Sequence, residues 1–62
     1  MTEKELLYVE DAIQHEIYML TTIKEVIDCL TDESLVKFVK KMERKHEDVL
    51  TLFTNLLEKE AA

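Results

Sequence analysis

The residues specify an all-α chain, bent once into an antiparallel helical hairpin, with two such hairpins joined as a four-helix bundle. Three features carry this reading. Glycine and proline are both absent from the 62 residues, so the residues that punctuate sheets and long loops are missing. Two apolar repeats run at alternating three- and four-residue spacing, the mark of helices that pack along one stripe. The repeats are out of phase with each other, which calls for a break between them.

The first helix announces its start. Thr2-Glu3-Lys4-Glu5 has the spacing of a capping box, in which Thr2 and Glu5 satisfy each other's backbone N–H groups. A repeat follows through Leu6, Val9, Ile13, Glu16, Leu20, Ile23, Ile27 and Leu30. Ala12, Met19 and Val26 widen it on one flank and Ile17 on the other, giving a stripe broad enough for a bundle rather than a two-stranded zipper. This helix is expected over residues 3–30. Continuing its phase would bury Ser34, Lys37, Lys41 and Arg44, so the chain must turn. Thr31-Asp32-Glu33-Ser34 supplies the break, because these residues are poor in helix interiors, good as caps, and acidic where a new helix begins. The turn is placed at 31–33.

The second helix is expected over residues 34–59. Its repeat runs through Leu35, Val39, Met42, His46, Val49, Phe53 and Leu56, with Val36, Glu43, Leu50 and Leu57 on one flank. The alternative to a turn is one long coiled coil carrying a skip residue. Each helix of about 27 residues is near 40 Å long. Residues 1–62 form a single domain without linker, internal repeat or low-complexity stretch.

Size and charge limit what such a chain does. A domain this short buries only about 60% of its unfolded surface, so it needs a staple. Cys29 is the only cysteine, which excludes a disulfide within the chain and fits a reducing cytosol. Metal and self-association remain. Leu, Ile, Val and Phe make up 20 of the 62 residues, too many for a disordered acidic tail. The net charge of −6 and pI near 4.7 argue against a nucleic-acid partner and for cations. Met1-Thr2-Glu3-Lys4-Glu5 lacks the basic and apolar regions of a signal peptide, and no apolar run is of membrane-spanning length, so a cytoplasmic protein without a membrane partner is expected. Two hairpins cover each other's apolar faces, making a homodimer or higher homo-oligomer the expected assembly.

Three polar residues stand where a core is due. Glu16 occupies a seam position among Leu, Val and Ile, and a carboxylate buried alone costs several kcal/mol, so it must be paired, protonated or bound to a cation. In Glu43-Arg44-Lys45-His46 a carboxylate and an imidazole lie one turn apart on the inward side, at the i, i+3 spacing that closes two side chains on one ion. Measured from a turn near residues 31–33, all three lie roughly 20 Å up the hairpin. They can meet in one layer. Two hairpins supply four carboxylates and two imidazoles, which neutralise two divalent ions and suit Fe, Mn or Zn.

Glu16 on the first helix, followed by Glu43-x-x-His46 on the second, resembles half of the ferritin-like di-iron carboxylate fold of rubrerythrins and ferritins. The two-helix protomer is most similar to the encapsulated-ferritin type, which completes its site by pairing two chains. The likeness spans about Tyr8 to Leu57. It implies a ferritin-like four-helix bundle with two iron ions per dimer, Mn or Zn being possible substitutes. It further implies Glu16 as a terminal or bridging ligand, Glu43 as a bridging ligand and His46 as a terminal nitrogen ligand. A ferroxidase or rubrerythrin-like oxidoreductase acting on O2 or peroxide is the activity implied. The chain departs from a full rubrerythrin in lacking the second half and the rubredoxin-like cysteine site. Its ending, Glu58-Lys59-Glu60-Ala61-Ala62, lacks the further helix and targeting tail of an encapsulated ferritin, so neither that electron route nor residence in a shell is implied.

The other polar and sulfur-bearing residues have plainer readings. Asp11 and His15 at i, i+4 form a surface pair, and Glu10 is a solvated flank residue. Tyr8 and Tyr18 pack at helix edges, Met19 and Met42 fill the core, and Cys29 has no assigned role. The competing function is a non-enzymatic homo-oligomerisation module without metal, in which Glu16 and His46 set register and Glu43 stays solvated.

Overall fold

Local chemistry sets both helix starts in the computed structural model, which describes residues 1–61 as α1 (Glu3–Cys29) and α2 (Glu33–Ala61). The capping box at α1 is complete: the Glu5 N–H donates to Thr2 Oγ1 over 3.1 Å and the Thr2 N–H donates to Glu5 Oε1 over 2.9 Å. These hydrogen bonds, the backbone one first, hold the Glu5 carboxyl below its usual value. At the far end Leu30 leaves the helix in an extended conformation (φ −89°, ψ 139°), its N–H donating to the Ile27 carbonyl over 3.1 Å. No described residue has a positive φ, which explains how this turn forms without glycine. Asp32 then caps α2, its Oδ1 accepting from the Ser34 and Leu35 N–H groups over 2.8 and 3.1 Å. Glu33, expected in the turn, is therefore the first helical residue, where a carboxylate meets the positive end of the helix.

Two contacts fix the register. The Met1 ammonium lies 3.6 Å from Glu60 Oε2, and Glu16 meets His46 near mid-length. Each step forward along α1 is thus matched by a step back along α2, as an antiparallel hairpin requires. Threonines inside the helices bond to their own backbone, the Thr21, Thr22, Thr51 and Thr54 hydroxyls each donating to the carbonyl four residues earlier. No described helix is long and apolar enough to cross a membrane.

α1 packs along the line read from its sequence. All eight members of that repeat, from Leu6 to Leu30, are half-buried or buried, and Leu20 and Ile23, at 8% and 6% exposed, are the buried core. α2 follows its line only in part. Val36, Val39, Glu43, His46, Leu50, Phe53 and Leu57 are half-buried, whereas Leu35, Met42 and Leu56 remain 51%, 38% and 39% exposed. Of the seven expected seam members, Val39, His46, Val49 and Phe53 hold their inward places, while the flank residues Val36, Glu43, Leu50 and Leu57 turn inward in addition. Met19 and Met42, expected as core filler, likewise stay on the surface. The physical reason is the number of neighbours: against α1 alone, α2 turns one edge of its stripe inward and leaves the other edge in water. The result is a rod of 45 × 15 × 12 Å with a radius of gyration of 14.4 Å, against about 10.6 Å for a compact domain of this length.

Candidate metal centre

The polar layer forms because two seam positions at the same height are not apolar. Glu16 follows Ile13 by three residues on α1 and His46 follows Val39 by seven on α2, so both lie on the inner lines of their helices. The antiparallel register then brings them together. His46 Nδ1–H donates to Glu16 Oε2 over 2.6 Å, with the imidazole 26% and the carboxylate 18% exposed. A contact this short is a charge-assisted hydrogen bond to the carboxylate. It answers the cost of placing both groups on the lines that carry Ile13 and Leu20 on α1 and Val39 and Phe53 on α2, and no buried side-chain polar atom among the described residues is left unpartnered.

Glu43 stands apart from this pair. Three residues along a helix amount to about 60° of rotation, which puts His46 and Glu43 on opposite edges of the inward line. Glu43 shares its edge with Val36, Leu50 and Leu57, is half-buried, and takes part in neither of the two ion pairs found among the described residues. Among these residues no three of the histidine, cysteine, aspartate and glutamate side chains gather closely enough to hold an ion. One chain therefore brings two of the three expected donors into contact and places the third a turn away.

In chemical type the donors suit a divalent ion of the iron, manganese and zinc class, since carboxylate oxygens and imidazole nitrogen are its preferred ligands. In number they fall short within one chain. The pair can serve such an ion in two ways. The ion can take the place of the proton between Nδ1 and Oε2, or Glu16 can keep that proton and orient the ring while the imidazole's other nitrogen ligates. In the first case binding releases a proton and grows tighter with rising pH.

The remaining polar clusters lie elsewhere. Asp11, Gln14, His15 and Tyr18 line a shallow hollow on the outer face of α1, and Lys37, Lys40, Lys41 and Arg44 line another on α2. Neither includes a member of the polar layer. Asp11 and His15 are both exposed and form no ion pair with each other, while Glu10, Tyr8 and Tyr18 are exposed. Cys29 is exposed with a free thiol. Sequence reasoning passed over the basic cluster on α2, although five of the eight cations fall between Lys37 and Lys45 and that clustering is visible without coordinates. Comparison with protein-family models, curated proteins and solved structures finds no match to this chain.

Proposed function

We propose that the chain is one half of a dimeric, ferritin-like di-metal protein in which Glu16, Glu43 and His46 of two copies jointly hold a pair of divalent ions, iron foremost, for reaction with O2 or peroxide. What supports this reading is the Glu16–His46 contact at 2.6 Å, made by residues from different helices in the middle of a largely apolar seam. Glu43 adds a half-buried carboxylate one turn away that a second chain's donors can complete. The likeness to di-iron carboxylate proteins rests on these same three residues.

Bound iron ions supply the electrons for reducing O2 or peroxide. The chain's own residues do the rest: the carboxylates offset the positive charge of the ions, His46 provides a neutral nitrogen, and the buried Leu20 lies one turn from Glu16 along α1. An oligomerisation module without metal is the second reading, favoured by the same contact, because the Glu16–His46 hydrogen bond is already satisfied without an ion and fixes the pairing of the helices. Metal content separates the two. Protein loaded with Fe(II) under argon, then desalted, is expected to retain about one ion per chain, and the Glu43→Ala and His46→Ala variants are expected to retain far less while staying helical. Equal metal content in all three, or none in the wild type, contradicts the proposal.

A further inference from the structure

We infer that the side of the hairpin bearing Met19 and Met42 is the surface on which a second copy of this chain docks, with the twofold axis passing close to the Glu16–His46 layer. The register sets Ala12 across from Val49, Met19 across from Met42 and Val26 across from Leu35. In an antiparallel pair the flank preceding the seam on one helix lies beside the corresponding flank on the other, so these six residues form one apolar strip. Met19, Val26, Leu35 and Met42 are all between 38% and 51% exposed. The opposite side is built from Glu10, Ile17 and Lys24 of α1 with Lys40, Glu47 and Thr54 of α2. Only Ile17 there is apolar.

Area identifies the occupant. The chain exposes 5208 Å², about 1,000 Å² more than the roughly 4,200 Å² typical of a folded monomer of this mass. A stable dimer covers about 800 Å² on each partner, so one further copy covers most of the excess. The strip also suits self-pairing in its placement. With Leu56 at one end and Val26 and Leu35 at the other, its midpoint falls within about one turn of Glu16 and His46, so a twofold axis there sets the two polar layers against each other. The orientation of α2 then makes sense as well. Leu35, Met42 and Leu56, the expected seam members left uncovered by α1, are the α2 edge of the strip and face the centre of a four-helix bundle.

The inference stands whether or not metal is bound, and its test is run in chelator to keep it separate from the metal reading. In a Cys29→Ser background, sedimentation of the parent chain is expected to give a dimer. Met42→Asp, which sets a charge on the strip, is expected to weaken pairing by about 100-fold or more. Ile17→Asp, an equally apolar site on the other side, is expected to change it by less than about threefold. Because Met42→Asp can also unfold a chain that folds only when paired, thiol protection gives a milder readout: Met42→Cys is expected to react with a thiol reagent at least about tenfold more slowly at high than at low protein concentration, and Ile17→Cys at equal rates. A parent that stays a single chain at all concentrations overturns the inference, as does protection at residue 17 with none at residue 42. Dimers obeying this pattern without metal uptake uphold the docking surface while overturning the proposed function.

Discussion

The two long sides of the hairpin are made of different materials. On one, Met19, Val26, Leu35, Met42 and Leu56 stand 38–51% exposed; on the other, Glu10 and Glu47 lie to one side of Ile17 and Lys24 and Lys40 to the other. The difference teaches that the seam between α1 and α2 covers only part of the apolar surface the sequence carries. Water suits the charged side, and a second apolar surface suits the other.

Substitutions along and beside the seam sharpen this contrast. Leu20→Ala, at the buried centre shared by both sides, is expected to cost about 2–5 kcal/mol, read from the urea midpoint at fixed protein concentration. A loss below about 1 kcal/mol would mean that the centre of the structure lies elsewhere. Glu16→Ala leaves the His46 N–H without its acceptor and is expected to cost about 1–3 kcal/mol. A double-mutant cycle with His46→Ala should show coupling of at least about 0.5 kcal/mol, and strict additivity would deny that the two side chains meet in solution.

The caps belong to neither side and should respond alike. Asp32→Ala and Thr2→Ala are each expected to cost about 0.5–2 kcal/mol, measured by thermal melts. Since the Glu5 carboxyl is held below its usual value by its bonds to Thr2, its contribution is present above the ordinary carboxylate range and fades as pH falls through the lowered value. In Thr2→Ala that part of the acid sensitivity should shrink. The smallest effect belongs to the charged side: Lys24→Ala and Glu47→Ala are expected to stay within about 0.5 kcal/mol of the parent. Larger losses there would place a partner on the wrong face.

Much of the fold is legible in the residues themselves. Thr2 and Glu5 mark the start of α1 by chemistry confined to one turn, and the line from Leu6 to Leu30 marks its inner face because an apolar repeat has one best direction. The break is equally local, though Asp32 caps α2 so that the helix begins at Glu33, one residue earlier than expected. The rotation of α2 is not local. Its stripe is wide, and which edge meets α1 is set by packing along the whole helix rather than by any one residue. The site is legible to the same degree: Glu16 and His46 are singled out by being polar on an apolar line and do meet, whereas the position of Glu43 follows from that same rotation.

The central claim is that two chains, paired through the strip, jointly hold divalent ions at the level of Glu16 and His46. Native mass spectrometry of the protein with Mn(II) as probe tests it in one spectrum. The expected species is a dimer carrying two ions, lost in favour of the bare dimer when Glu43 is replaced by alanine. A dimer that never gains the mass of an ion, or a single chain throughout, contradicts it.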